Sequence, residues 1–183
     1  IDLSLWDENA GDTMGQAELE TMLAGRMCAG GLDLSSVSDL TAWLMLFPVE
    51  GSDIEVDILA RFWCPRSCLV DPENQYAAQY QAWERAGYIT VTEGNAVDYA
   101  FIKAKVLEDA SRYQLVDMNV DRLFQGYQTY MELADEGITV VGMGQGFLSM
   151  AAPMKEFERR LLAKGLHHHG NPVLKWMAGN VAV

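Results

Sequence analysis

A carboxylate inside an apolar stretch is the residue best placed to do chemistry. Asp33 follows the small and aliphatic residues 29–32, and a polar turn at residues 35–39 separates it from a second apolar run at residues 40–47. Burying a carboxylate is costly unless a positive group meets it. Since no Lys or Arg lies in residues 27–49, the partner must be a residue distant in sequence or a metal ion. The alternative is that Asp33 caps a solvated turn.

A second candidate carboxylate lies later in the chain. Asp121 follows residues 113–120, which predict the fourth strand of a sheet. If the first and fourth strands are neighbours, Asp33 and Asp121 face one another, and each raises the pKa of the other unless cations lie between them. Carboxylate oxygens select Mg²⁺ or Mn²⁺, which activate water and stabilise a leaving oxygen. The alternative for Asp121 is the N-cap of a helix over residues 123–134.

The order of the predicted elements brings these carboxylates into one sheet. Short turns join strands at residues 27–34, 40–48 and 54–63, which predicts an antiparallel meander. The fold class is therefore α/β, a mixed sheet in which a three-strand antiparallel meander is followed by parallel strands and flanked by helices. Helices and strands alternate after the meander, at residues 97–112, 113–120, 123–134 and 138–142.

A glycine-rich segment precedes the last long helix. Residues 142–146, GMGQG, lack the Gly-Lys-Ser/Thr ending of a nucleotide-binding loop and the spacing of a dinucleotide fingerprint. We expect a tight backbone connector here rather than a phosphate site. Pro153 then indicates the first turn of an amphipathic helix over residues 154–162.

Length and charge predict one globular domain with little capacity to hold nucleic acid by itself. The 183 residues are 50% hydrophobic and carry a net charge of −13, whereas phosphate binding depends mainly on Lys and Arg. A nucleic-acid activity would need divalent cations at the site and a partner to hold the substrate. Residues 1–26 are polar and acidic and predict an incoming linker, so the domain itself spans residues 27–183. The start at Ile1 rather than Met favours a fragment of a longer protein.

Cysteine usage and targeting signals also limit the possibilities. Three cysteines fit a reducing compartment better than a disulfide scaffold, and neither a membrane span nor a secretory signal is recognisable. Cys64 and Cys68 have nearly the spacing of zinc ligands, and His167, His168 and His169 are further donors. Because a second pair at such spacing is missing, we expect no zinc site.

Basic residues concentrate near the C-terminal end of the sequence. Lys155 and Lys175 are candidates for contact with a DNA backbone. The alternative is a solvated helix face, because glutamates are interspersed. The densest basic region consists of Lys155, Arg159, Arg160, Lys164 and Lys175.

Several segments in order resemble one family. The segment GLDLSSVSDLTA around Asp33 is similar to the first nuclease motif of the large terminase subunit of tailed phages. The resemblance runs from about Arg26 to Val183, and it covers the nuclease part alone because no ATPase nucleotide-binding motif is present. The other similar segments are residues 92–99, 120–122, 149–156, 169–177 and 180–181.

This resemblance implies a metal-dependent endonuclease of RNase H-like, RuvC-related fold. Such an enzyme cuts concatemeric phage DNA at the start and end of packaging by two-metal phosphodiester hydrolysis. Asp33 matches the first-strand metal ligand and Asp121 the fourth-strand ligand. Asp98 or Glu93 contests the second role because both lie in a family-like segment, and Asp39 is expected to shape the turn.

The resemblance also implies cofactors, partners and a location. The cofactor is Mg²⁺ or Mn²⁺, and the substrate is double-stranded DNA. The implied protein partners are an ATPase domain in the same parent chain, the small terminase subunit and the portal protein, all acting in the host cytoplasm. No membrane partner is expected.

One departure from the family pattern separates two interpretations. Family members carry a third catalytic carboxylate on a helix beyond the stretch that ends here at Val183, so we expect weak metal binding and little or no cleavage by this chain alone. The alternative function is a catalytically inactive RNase H-like module that serves as an assembly or DNA-guiding surface. A flavodoxin-like binding domain is disfavoured because that class does not begin with a meander.

Overall fold

The computed structural model describes residues 1–35, 39–121 and 125–181, without the side chains of residues 125–127 and 130. The helices in these ranges are α1 (Leu3–Asp7), α2 (Gln16–Leu23), α3 (Ser67–Val70), α4 (Ala77–Arg85), α5 (Tyr99–Arg112), α6 (Gln125–Asp135), α7 (Phe147–Leu162) and α8 (Pro172–Gly179). The strands are β1 (Met27–Asp33), β2 (Thr41–Pro48), β3 (Val56–Pro65), β4 (Thr90–Thr92), β5 (Gln114–Asp121), β6 (Val140–Met143) and β7 (Leu166–His167).

The described strands form one mixed sheet in the order β4-β3-β2-β1-β5-β6. Strands β1, β2 and β3 pair in antiparallel fashion, whereas β5 is parallel to β1 and β6 is parallel to β5. Strands β4 and β7 both run parallel to β3, β4 beside its end and β7 beside its start. The predicted meander, and the neighbouring positions of the first and fourth predicted strands, are confirmed.

One face of the sheet is covered along its length by α2, α5 and α6. Side chains of Trp43, Phe47 and Met118 are fully buried beneath these helices. Gly30 of β1 also points to this face, and a Cβ there would lie 2.2 Å from the Trp43 ring. Since real Cβ atoms do not approach so closely, the tryptophan requires glycine at this position.

A buried ion pair fastens helices to this covered face. Arg61 of β3 donates two hydrogen bonds to Asp109 of α5, at 2.6 and 2.7 Å, and a third to Glu20 of α2 at 2.6 Å. The indole of Trp43 also donates to Asp109, at 3.2 Å. Asp109 is fully buried, and this charge is met by a bidentate guanidinium, the geometry that offsets the cost of burial.

The opposite face is covered only in part. Helices α1, α4 and α8 pack over β3, where Phe62, Tyr80 and Trp83 are buried. Over β1 and β5 the same face carries a cavity of about 660 Å³. The sheet therefore has one closed face, and one face that is open above its central parallel pair.

Residues 1–26 pack against the body of the domain. Trp6, Leu19 and Leu23 are buried, and the fully buried amide of Asn9 bridges the Leu161 carbonyl and the Leu166 amide. These contacts join the N-terminal segment to the hydrophobic clusters on both faces of the sheet. The domain boundary at residue 26 stays a prediction.

One helix prediction is wrong at its start. Helix α7 begins at Phe147, so Pro153 lies inside the helix instead of in its first turn. The proline removes one backbone hydrogen bond, to the Ser149 carbonyl, and the helix tolerates the loss on its exposed half. Helix α4 begins at Ala77, after a turn in which the Asp71 carboxylate accepts the Glu73 amide.

Candidate active site

The two carboxylates singled out from the sequence meet at one edge of the central parallel pair. Asp33 ends β1 and Asp121 ends β5, and the preceding residues Leu32 and Val120 are directly paired. Both carboxylates line the 660 Å³ cavity. The structure thus brings Asp33 and Asp121 together, although they are far apart in sequence.

The surroundings of Asp33 disfavour its ionisation. Burial raises the pKa of Asp33, and the negative charges of Asp121 and Asp39 raise it further. No Lys or Arg in the described ranges forms an ion pair with Asp33. A divalent cation bound between the carboxylates would reverse this effect on the pKa.

The side chains that line the cavity are mostly apolar, and the space above strand β1 is open. A Cβ built on Gly31, next to Asp33 on the same face, meets no atom within 4 Å. The cavity is therefore open directly above Gly31. Its apolar lining comes from Leu44, Leu46, Met143, Met150 and Pro153, among others.

The donors present suit a hard cation. Mg²⁺ is commonly held by one or two carboxylates, with water and substrate phosphate completing an octahedron, and Mn²⁺ accepts the same oxygen ligands. Asp33 and Asp121 supply such oxygens. In the part of the chain that is described, no three His, Cys, Asp or Glu residues converge as a ready-made metal site. The site thus fits a metal held by two protein ligands together with substrate.

Three further acidic candidates do not line this cavity. Asp98 caps α5 by accepting the Phe101 amide at 3.0 Å, and Glu93 pairs with Arg66 at 3.2 Å. Asp39 follows β1, where it acts on Asp33 through its charge and lines a separate cavity. Residues 36–38, which belong to the first motif, lie outside the described residues, as do residues 122–124.

The two candidate DNA-contacting lysines differ in their surroundings. Lys155 is exposed on α7. Lys175 of α8 forms an ion pair with Asp7 at 2.8 Å. In the described ranges, every other Lys or Arg except Arg85 also forms an ion pair with a carboxylate. The described part of the domain therefore presents little positive charge that is not neutralised by a neighbouring carboxylate.

The histidine run is placed for structure at the other end of the sheet. His168 stacks on Trp6 with ring centroids 4.5 Å apart, and its Nε2 faces the Trp6 carbonyl at 2.9 Å. His169 faces two acceptors, the Asp12 carbonyl at 2.8 Å and the Asp57 carboxylate at 3.1 Å. Because a neutral imidazole has only one N–H, this geometry requires the imidazolium form of His169.

The cysteines that the sequence placed at near-zinc spacing are buried thiols. Cys64 ends the core of β3, and Cys68 lies in α3. Burial raises the pKa of Cys64 to about 12, which opposes formation of the thiolate that binds zinc.

Two amides of the cavity escaped the sequence analysis. Asn119 of β5 lies two residues before Asp121, and Gln145 follows β6. Their only sequence signal was position: Asn119 is polar within a strand that also buries Met118 and Val120.

Comparisons with known proteins identify the family of this chain. A family model described as "Terminase large subunit, endonuclease domain" matches residues 1–183. The crystal structure of the HK97 bacteriophage large terminase superposes with a TM-score of 0.81 at 28% identity, covering 98% of this chain and 36% of that one.

Curated relatives give the same picture. The chain is 31% identical over 154 residues to the terminase large subunit of Enterobacteria phage HK97, a match that covers 84% of this chain and 30% of that protein. It is 29% identical over 163 residues to protein YmfN of Escherichia coli K12, with 86% and 36% covered. The chain therefore spans about a third of the length of these relatives.

Proposed function

The chain belongs to the family of terminase large subunit endonuclease domains, and from this premise we propose that it cuts viral DNA by divalent-metal-dependent phosphodiester hydrolysis. The domain acts as the nuclease part of a longer packaging protein, since its relatives are about three times its length. The substrate is concatemeric double-stranded DNA.

One observation carries this proposal. Asp33 and Asp121 end adjacent parallel strands, and both point into one open cavity in which no described cation pairs with Asp33. An external cation bound between the two carboxylates would oppose the burial and the neighbouring negative charges that raise the pKa of Asp33. Their position is therefore better explained by binding than by stability.

The proposed mechanism divides the work between the metal and the carboxylates. When bound, Mg²⁺ or Mn²⁺ activates water and stabilises the charge that develops on the leaving oxygen, in the two-metal manner. Asp33 and Asp121 accept but do not donate hydrogen bonds when ionised, so they hold and orient cations at the strand ends. Open space above Gly31 admits the sugar-phosphate backbone to the same edge.

The charge distribution indicates that other parts of the packaging machinery bind the DNA. The net charge is −13 and most described cations are paired, so the part of the domain that the structure describes has no basic face of the kind that binds a duplex. A partner must deliver the DNA, with Lys155 supplying at most a single backbone contact. The partners we propose are the ATPase part of the same chain, the small terminase subunit and the portal protein, in the host cytoplasm.

A nicking assay tests the proposal. Supercoiled plasmid is incubated with this chain, and with the full-length protein that carries it, in Mg²⁺ or Mn²⁺. We expect Asp33→Asn and Asp121→Asn each to reduce cutting by at least about a thousandfold, the scale of losing a catalytic group. Asp98→Asn is the matched control because that carboxylate caps a helix. Normal cutting by either cavity variant would refute the two-carboxylate assignment.

A second function, an inactive assembly module, has one observation in its favour. Phe147 and Leu148, at the start of α7, are 98% and 97% exposed, and Met150 and Pro153 of the same helix line the apolar cavity. Such residues are typical of protein interaction sites. Metal binding without any cutting by the full-length protein would favour this second function.

A further inference from the structure

Strand β5 presents a row of polar side chains to the open face. Asp117, Asn119 and Asp121 alternate with the buried Met118 and Val120, so the three polar residues share one face. On neighbouring β1, the positions directly paired with Asp117 and Asn119 are the small residues Ala29 and Gly31. The row therefore borders a trough whose floor is almost bare backbone.

Asn119 occupies the middle of this row and lies at the site. It lines the cavity together with Asp33 and Asp121, and its side chain is exposed. Residues i and i+2 of a strand are about 6.6 Å apart, so the amide lies one step along the trough from the carboxylate edge. Among described residues, none hydrogen-bonds the side-chain amide of Asn119, although asparagine is disfavoured in strands.

Chemistry distinguishes this residue from its neighbours. An ionised carboxylate only accepts hydrogen bonds, whereas the amide of Asn119 also donates two. A phosphate oxygen is an acceptor and needs a donor, which neither Asp117 nor Asp121 can provide. The amide also adds no negative charge to an already acidic edge.

We propose that Asn119 binds the DNA backbone by donating a hydrogen bond to a phosphate next to the one held at Asp33 and Asp121. This inference rests on the proposed nuclease function and adds a substrate-binding residue to it. Gln145, on the far wall of the same cavity, offers a second amide. Asn119 thereby fixes the position of the DNA strand along the trough.

The test uses three substitutions in the protein that carries the nicking activity. Asn119→Ala removes the amide, and Asn119→Asp keeps its shape but exchanges the donor for a negative charge. Val116→Ala is the matched control, because Val116 is exposed on β5 outside the cavity. Each variant is assayed for kcat and KM in Mn²⁺, for affinity toward a short duplex by fluorescence anisotropy, and for Mn²⁺ affinity by calorimetry.

We expect Asn119→Ala to raise KM and the duplex Kd about tenfold, the effect of one hydrogen bond to a charged group, with Mn²⁺ affinity unchanged. Asn119→Asp should weaken DNA binding further than Asn119→Ala. Val116→Ala should match the parent protein throughout.

Two results would overturn the inference while leaving the nuclease function intact. The first is a KM and duplex Kd for Asn119→Ala within twofold of the parent values. The second is tighter Mn²⁺ binding with undiminished DNA affinity in Asn119→Asp, which would make position 119 a metal-ligand position. If the parent protein does not cut, the proposed function fails separately, and the anisotropy series still decides whether Asn119 contacts DNA. A parent protein that does not bind the duplex refutes both.

Discussion

Two aspartates of the same sheet have opposite surroundings. Asp33 ends β1 at the open cavity, and burial together with the charges of Asp121 and Asp39 raises its pKa. Asp57 lies at the start of β3, where burial alone would raise its pKa, but hydrogen bonds from His169 and Arg26 outweigh burial and lower it. Both strands supply the same side chain, so the difference lies in the cations that the fold provides.

The difference separates a carboxylate with internal counterions, Asp57, from one that has no cationic partner among the described residues, Asp33. Asp57 is nearly buried and has a partner on each oxygen, Arg26 at 2.8 Å and His169 at 3.1 Å. It therefore behaves as a structural group whose charges are internally balanced. Asp33 has no such cation among the described residues and is exposed, so its carboxylate is accessible to the external cation that the proposed function requires.

The largest expected effect on stability comes from a substitution of Asp57, the carboxylate with internal counterions. Asp57→Asn leaves one of the two donors facing an amide, and removing one partner of a buried charge cluster costs about 3 kcal/mol. We expect the free energy of unfolding at pH 7, measured by urea denaturation, to fall by about this amount. Cutting per folded molecule should be unchanged. An unaltered unfolding midpoint would show that the Asp57 cluster does not stabilise the fold.

Added metal should raise the thermal stability of the protein through Asp33 and not through Asp57. A cation that binds the folded protein stabilises it by about 1.4 kcal/mol when its concentration is roughly ten times Kd. We expect Mg²⁺ or Mn²⁺ to raise the Tm of the parent protein but not that of Asp33→Asn. An equal rise in both proteins would place the metal away from Asp33.

The pH dependence of stability should also separate the two ends. Burial alone lowers the pKa of His169, but the Asp57 carboxylate and the Asp12 carbonyl outweigh it and raise the pKa above the ordinary value of 6.5. The stabilisation is therefore complete below pH 6.5 and is lost as the pH rises through the folded-state pKa, by about 1.4 kcal/mol for each pH unit that separates the folded-state pKa from the unfolded-state pKa. Urea titrations between about pH 6 and 9 should show this loss in the parent protein. His169→Gln should show a flatter profile, and identical profiles would contradict the imidazolium assignment.

The smallest effect is expected from Asp33 itself without metal. Since the raised pKa means that ionisation of Asp33 opposes folding, the contribution of this one group to stability is greatest below pH 3.8 and is lost as the pH rises through its folded-state pKa. Asp33→Asn should remove this loss and stabilise the metal-free protein at pH 7, by less than about 1 kcal/mol because water screens the exposed carboxylate. Thermal unfolding in chelator measures the change. A lower Tm would mean that the carboxylate is structural.

The sequence predicts most of the sheet because hydrophobic patterning and short turns are local signals. The meander, the parallel pairing of β1 with β5 and the meeting of Asp33 with Asp121 all follow from element order. Residue identity alone did not distinguish Asp33 from Asp57, since counterions such as His169 come from distant parts of the chain. Whether Asp33 and Asp121 bind metal stays a prediction.

Three features of the structure depend on surroundings that the fold creates and could not be predicted from local sequence patterns. Pro153 normally indicates a helix start, but the exposed first turns of α7 accommodate it in the interior. Lys175 is a cation on a helix, and only the fold shows that Asp7 neutralises it. Asn119 carried no recognisable motif, so its position beside Gly31 emerged from strand register alone.

The packing of the N-terminal segment has a mechanical consequence. Asn9 is tied to Leu161 and Leu166, the Ala10 carbonyl accepts the His169 amide, and Trp6 stacks on His168. Tension applied at residue 1 would load these attachments before it reached β1. These attachments therefore lie along the chain between residue 1 and the strand that ends at Asp33.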